Sequence, residues 1–278
     1  MHVNVAMKHR CRLGCSLVLT ILALLPCGST CAGQQSAARS VESGNSWRQL
    51  AEEGHAFAQV NLGMSYAGGQ SGVPQDYGEA VRWFRKAAAQ NNPLGQLYLG
   101  NMYSGGLGVE KGPVEAVRWY RMAATQGNAA AEFYLGNMYG KGEGVPKDEG
   151  EAARWHLKAA EQGHEAAMIA LGISYGLGRG VPQDHAEAFR WFRRCAERGN
   201  AMAQFRLANL YAQGHGAAQD YVSAYTWMQI GALHAGDRFQ PKPFSEALEQ
   251  FAAQLSPQQI VEAQRAASEW KPNTNLQK

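Results

Sequence analysis

Residues 127–162 read GNAAAEFYLGNMYGKGEGVPKDEGEAARWHLKAAEQ, and copies of this stretch fill most of the chain. Its Leu135-Gly136 pair recurs as Leu62-Gly63, Leu99-Gly100 and Leu171-Gly172, then as Leu207-Ala208. Its Trp155 recurs as Trp83, Trp119, Trp191 and Trp227, 36 residues apart at every step. The Leu-Gly pair steps by 37 residues once and by 36 thereafter. One residue is therefore inserted in the first copy, between Tyr66 and Val73. An insertion that leaves the tryptophan register intact belongs to a loop. A fixed period of this length marks an array of stacked units, none of which can bury its hydrophobic face alone.

Each unit reads as two helices. Ala131, Leu135 and Tyr139 fall at i, i+4 and i+8, one face of a helix. Ala152, Trp155 and Ala159 fall at i, i+3 and i+7 and mark the second. Large residues opposite alanine and glycine let such helices approach and interdigitate. Between the helices Gly142-x-Gly144 supplies positive-φ positions that end one helix and turn the chain, with copies at Gly106, Gly178 and Gly214. Asp148-x-x-Glu151 predicts a capping box, the aspartate capping and the glutamate reaching back, as do Asp76-x-x-Glu79 and Asp184-x-x-Glu187. Repeat two has Gly112-Pro113 instead, with proline at the favoured first helical position. A glycine-rich loop before a helix also occurs in phosphate sites. Here no strand precedes it, and the lysine–serine/threonine pair of a P-loop is missing.

The unit resembles the Sel-one-like repeat, a relative of the tetratricopeptide repeat. The matching residues in repeat three are Gly127, Ala131, Leu135-Gly136, Met138-Tyr139, Gly142-x-Gly144-Val145, Asp148, Ala152, Trp155 and Ala159-Ala160, then Gly163. The resemblance covers residues 47–236 and implies an adaptor that holds other proteins, often in a secretory or envelope compartment. The expected fold is all-α: a right-handed α/α superhelical solenoid of five repeats of about 36 residues. They span 55–90, 91–126, 127–162, 163–198 and 199–236. Residues 45–54 are expected to form an N-terminal capping helix, because Trp47 stands where Phe84 and Tyr120 stand. Residues 237–271 hold the C-terminal caps. There Phe244, Leu248, Phe251 and Leu255 make one apolar stripe, and Ser256-Pro257-Gln258-Gln259 reads as a capping box. Ile260, Ala263, Ala267 and Trp270 share a side of the last helix, which Pro272 ends. Residues 33–44 read as a flexible lead-in and 272–278 as a frayed tail.

Residues 1–32 read as a signal peptide. Lys8, Arg10 and Arg12 form a positive start, and an apolar run extends from Leu13 to Leu25. That run is shorter than the roughly 20 residues a bilayer span needs. Thr30 and Ala32 suit the small positions of a cleavage site after Ala32. The residues before Cys27 and Cys31 fit a lipoprotein signal poorly, so a periplasmic or secreted protein is expected rather than a lipid-anchored one. The leader carries three of the 26 basic residues and none of the 23 acidic ones, so the remaining chain is neutral. It lacks the cationic excess of a nucleic-acid binder. Of five cysteines only Cys195 then remains, which leaves no internal disulfide.

Candidate chemistry is sparse. Cys195 shares its column with Ala87, Ala123, Ala159 and Gly231 and is expected to pack as a small hydrophobe. No histidines are spaced i, i+4 on one helix. After His164-Glu165, Met168 stands where a metalloprotease motif needs its second histidine. A cysteine-rich subgroup of secreted relatives is associated with penicillin binding or β-lactam cleavage, and carries a cysteine pair in each repeat. No repeat here has one, so catalytic residues, metal ligands and cofactors are not expected. A surface remains. In tetratricopeptide-like solenoids the first helices line the concave side. Two columns on those helices avoid the core stripe: Asn61, Tyr98, Tyr134, Ala170, Arg206 and Met64, Asn101, Asn137, Ile173, Asn209. Spaced three apart, they share a face. One reading makes Asn61, Tyr98, Asn101, Tyr134, Asn137, Arg206 and Asn209 a groove for a protein or peptide partner. The other packs the tyrosines on the next repeat and leaves the asparagines solvated. With Arg206 the one basic residue in these columns, a clamp for a C-terminal carboxylate is not expected.

Overall fold

A computed structural model of the protein describes residues 47–235 and 241–273. The expected signal peptide 1–32 and expected lead-in 33–44 lie outside the described residues, as does the expected tail beyond Asn273. Every regular element among them is a helix. The first helices of the repeats are α2 (Ala56–Gly68), α4 (Pro93–Gly105), α6 (Ala129–Lys141), α8 (Glu165–Leu177) and α10 (Ala201–Gln213). Their partners are α3 (Tyr77–Ala89), α5 (Pro113–Ala124), α7 (Glu149–Glu161), α9 (His185–Ala196) and α11 (Tyr221–Ala235). A short α1 (47–52) precedes them, and α12 (Pro241–Ala252) and α13 (Pro257–Glu269) follow. Helices pack mainly on their neighbours in sequence, and α13 also returns to α11. The core is accordingly a chain of local clusters rather than one globule, as expected of a solenoid.

Packing inside each repeat turns on the glycine of the Leu-Gly pair. A Cβ on Gly63 would sit 2.6 Å from the Phe84 ring, on Gly100 2.6 Å from Tyr120, and on Gly136 2.5 Å from His156. On Gly172 it would sit 2.8 Å from Phe192. A ring of the second helix thus lies directly on the backbone of the first. Repeat five has Ala208 instead, and there the opposing residue is Met228, in the same cluster. This shifts the core register read from the sequence. Phe84, Tyr120, His156, Phe192 and Met228 are buried, whereas the tryptophan preceding each is half-buried. The tryptophans cover the joints between repeats instead: Trp119 packs on the cluster around Phe84, and Trp155 on that around Tyr120.

The turns hold two kinds of glycine. Gly69, Gly106, Gly142, Gly178 and Gly214 end the first helices in the left-handed region, with φ from 61° to 74°. The next glycine fastens repeat to repeat. A Cβ on Gly108, Gly144 or Gly180 would overlap the carbonyl of Tyr77, Pro113 or Glu149, the first residue of the preceding repeat's second helix.

The predicted capping boxes are half formed. The Asp76 and Asp148 side chains accept from the backbone N–H of Glu79 and Glu151, as expected. The glutamates do not reach back. Glu79 pairs with Arg82 at 2.5 Å, Glu151 with Arg154 at 3.1 Å, and Glu187 with Arg190. The reason is that the N–H a box would use is taken: Asp76 N–H donates to the Tyr66 carbonyl, and Asp148 and Asp184 to Tyr139 and Tyr175. Asp76 lies ten residues beyond its tyrosine and the others nine, which places the inserted residue in that turn. At Ser256, where no such bond competes, the full box with Gln259 forms.

The ends follow the repeat register. Arg48 of α1 donates to the Tyr66 hydroxyl at 3.0 Å, as Arg85 does to Tyr103 and Arg121 to Tyr139 one and two repeats later. The α1 helix therefore serves as a lone second helix. At the other end Phe244 is buried against Gly231, and Trp270 packs edge-on to Trp227 and His234. The start of the expected frayed tail is tied down instead. Asn273 N–H donates to the Glu197 carbonyl at 2.8 Å, and Pro272 lies beside Gly199.

The ring-on-glycine contact predicts a compensation. Gly63→Ala is expected to cost about 1–3 kcal/mol through overpacking, despite a helix-propensity gain of about 1 kcal/mol. Adding Phe84→Met, the pairing used in repeat five, should return most of that loss. Urea unfolding of the two variants beside the parent checks it.

Candidate functional site

The two helix sets present different surfaces. On the second helices, arginine and glutamate side chains pair along one face at i, i+3, from Arg82–Glu79 to Arg190–Glu187. Such exposed pairs contribute little stability and keep that side solvated. The first-helix face carries no such row among the described residues. Instead it is cut by two clefts. One, of about 310 Å³, is bordered by Asn101, Ser104, Tyr134, Asn137, Lys141 and Glu143. The other, of about 700 Å³, is bordered by Ile173, Gly176, Leu177, Phe205, Arg206 and Asn209.

The structure divides the seven candidate residues by role. Tyr98 is half-buried and stacked on Phe84, with ring centroids 5.1 Å apart, while Tyr134 stacks on Tyr120 at 5.4 Å and stays exposed. Each tyrosine thus packs on the ring of the preceding repeat. The asparagines are not simply solvated. Asn101 accepts a hydrogen bond from the Tyr120 hydroxyl at 2.8 Å, and Asn137 Oδ1 lies 3.1 Å from His156 Nε2. Both oxygens are held inside the repeat, and both residues border the smaller cleft. Asn61 and Asn209 donate along their own helices to the carbonyls of Phe57 and Phe205. Arg206 is exposed and forms no ion pair among the described residues. Tyr134, Asn101 and Asn137 come together at one cleft, Arg206 and Asn209 at the other, and Asn61 and Tyr98 border neither. Column reading missed the next turn of the helix, Gly105, Lys141, Leu177 and Gln213, four residues further on. That i+4 neighbour relation was the available signal.

Comparison with known proteins gives a consistent picture. The Sel1 repeat model matches residues 56–92, 93–128, 129–164, 165–200 and 201–234. No curated protein sequence matches the chain. Among solved structures, a protective antigen present in uropathogenic Escherichia coli strains, displaying an SLR fold, is 30% identical with a TM-score of 0.64. The match covers 80% of this chain and 56% of that antigen, so the chain spans little more than half of it. A Sel1 repeat protein from Oxalobacter formigenes is 29% identical with a TM-score of 0.65, over 80% of this chain and 99% of its own.

The titratable groups near this face serve packing. Burial pushes the Cys195 thiol up to about 12, far from the thiolate that reactivity requires. Burial likewise raises the Glu132 carboxyl, which accepts from Gln162 at 2.6 Å. The His156 ring, sealed against Gly136, is held down at about 4 by burial, and His164 beside it is also lowered by burial. The unfolded chain therefore binds a proton at His156 that the folded chain refuses. Its contribution is complete above about pH 6.5 and is lost as pH falls toward 4, a loss of about 3 kcal/mol. His156→Phe, matching repeats one and four, should remove that share of the stability lost between pH 6.5 and 4 and leave the part due to His164, read as unfolding midpoints across that range.

Proposed function

Since the chain belongs to the Sel1 repeat family, we propose that it is an exported protein-interaction scaffold of the cell envelope, receiving a segment of a partner on its first-helix face. Sel1 repeat proteins are typically interaction scaffolds. The observation that carries the reading is the division of surfaces. The second-helix side carries a row of local ion pairs and one cleft of about 480 Å³ beside Val114 and Met122, while the first-helix side lacks such a row and keeps two clefts, unpaired amides and an unpaired arginine. The neutral charge of residues 33–278 favours a protein partner over nucleic acid. Export rests on residues 1–32, with their basic start, short apolar run and small residues before Gly33. A hydrolase reading has less behind it. Cys195 is sealed, and the described residues hold no group of three or more histidine, cysteine, aspartate or glutamate side chains poised for a metal.

Two measurements test this. A photo-crosslinking residue at Tyr134 of the full chain, in the cells that make it, should yield a discrete protein adduct, whereas one at Arg82 should not. Equal yields from both sites, or none from either, would refute the scaffold reading. Mass spectrometry of the protein from the envelope fraction should find a mature chain starting at Gly33. A chain retaining residues 1–32 would overturn export.

A further inference from the structure

The two clefts are one niche seen twice. Each residue bordering the smaller cleft has its counterpart, two repeats on, bordering the larger. Asn101 becomes Ile173, Gly105 becomes Leu177, Tyr134 becomes Arg206 and Glu143 becomes His215. The niche is thus a property of the repeat, lying between successive first helices above the ring of the second helix. Its chemistry is set by what each copy places there.

In the smaller copy the Tyr134 ring lies over Tyr120 and occupies the space. In the larger copy Arg206 replaces that ring, and Phe192 below it has no stacking partner among the described residues. The floor is open as well. Gly176 has no packing reason to be glycine, because a Cβ there would meet only Ala188 Cβ, at 3.7 Å. Leu177 stands at the rim, 57% exposed, although it is apolar. The smaller copy balances Lys141 against Glu143. The larger has Arg206 and no carboxylate in its lining. A cleft of about 700 Å³ whose lining sets apolar side chains beside Asn209, Gln213 and the stacked His185–His215 pair, with Arg206 as its one fixed cation, suits an apolar group that carries a negative charge beside it.

We propose that the niche between α8 and α10 takes a bulky apolar side chain of an extended partner segment whose neighbouring acidic side chain pairs with Arg206. This deepens the scaffold reading and rests on it. It fixes specificity at repeats four and five, while the smaller, hydrogen-bonding copy serves the same segment less selectively.

The test uses the full mature chain and fluorescein-labelled dodecapeptide pools, acetylated and C-terminally amidated, with random flanks around a fixed central pair. Pools centred on Leu-Glu should bind at least tenfold more tightly than pools centred on Leu-Lys or Ala-Glu, by fluorescence anisotropy. Arg206→Glu should reverse the charge preference, and Gly176→Leu should abolish binding of all pools. Should Gly176→Leu fail to fold, Leu177→Ser, at an exposed position, must weaken Leu-Glu binding selectively. Equal binding of the Leu-Glu and Leu-Lys pools, no binding of any pool, or indifference to these variants overturns the proposal. So does a preference for the same peptides with a free C-terminus, which would place the carboxylate at a chain end. A surviving adduct from Tyr134 alongside such a failure would leave the scaffold reading standing without this niche. Loss of both would remove the two together.

Discussion

A flat ring pressed on a bare stretch of helix sets the geometry of this protein. In repeats one to four, the glycine of each Leu-Gly pair brings the first helix within contact of an aromatic or imidazole ring on the second. A methyl group there would force the helices apart or tilt the ring, since close-packed interiors have little slack. The identity of the ring matters less than its flatness: phenylalanine, tyrosine and histidine all occupy the position. Where the glycine becomes Ala208, the ring gives way to Met228, whose flexible chain can fit around an added methyl. The contact also reaches outward. The same ring also receives the tyrosine of the next repeat, Tyr98 on Phe84 and Tyr134 on Tyr120. Packing within one unit therefore helps to position the next.

A second, polar constraint runs beside it. Near the ends of the first three second helices a glutamine reaches into the joint: Gln90 donates to Gln59, Gln126 to Gln96, and Gln162 to Glu132. These acceptors are buried, so each bond removes a desolvation cost that either partner alone would carry. The row lapses at repeat four, where Met168 replaces the acceptor and Arg198 leaves a buried nitrogen without a protein partner. In repeat five Gln204 bonds the Ala196 carbonyl, yet its own oxygen is unmatched. The C-terminal segment comes back to this stretch, with Asn273 on Glu197 and Pro272 against Gly199. The last repeats are thus held by their caps where the polar row is weakest.

Much of this architecture was legible in the sequence because the repeat prints each constraint several times. Period, helix pairing, turn glycines and the aspartate caps all appear as identical letters in fixed columns. What escaped was whatever varies in letter while keeping its role. The tryptophan column is invariant and drew the eye, yet its members are half-buried covers. The core lies one residue later, under five residues of four kinds, Phe84, Tyr120, His156, Phe192 and Met228. The glutamates of the capping boxes misled for a different reason. Their local pattern was right, but the N–H they needed had been taken by a tyrosine carbonyl one helix away. No local motif carries that information. Among the candidate site residues, the face was legible from the i, i+3 columns. The inward bonds of Asn101 and Asn137 were not, because they depend on side chains 19 residues away.

The hardest distinction concerns two glycines one turn apart. Gly172 and Gly176 both lie inside α8, both on the side that meets α9, but only the first belongs to the recurring Leu-Gly pair. A Cβ on Gly172 would strike the Phe192 ring at 2.8 Å, whereas on Gly176 it would rest at 3.7 Å from Ala188. The first glycine is required by the fold. The second forgoes helix propensity, about 1 kcal/mol relative to alanine, with no packing return. A helix interior tolerates such a loss most readily where the missing side chain leaves useful space, and the space here is the floor of the larger cleft. In a repeat protein this contrast separates structure from function. Positions under packing constraint keep one small residue in nearly every copy. Positions free of that constraint drift from copy to copy, as the column Ser104, Gly140, Gly176 and Ala212 does, and two of its members border the clefts. Function in such an array resides in the differences between units, while the likeness among them builds the surface on which those differences are displayed.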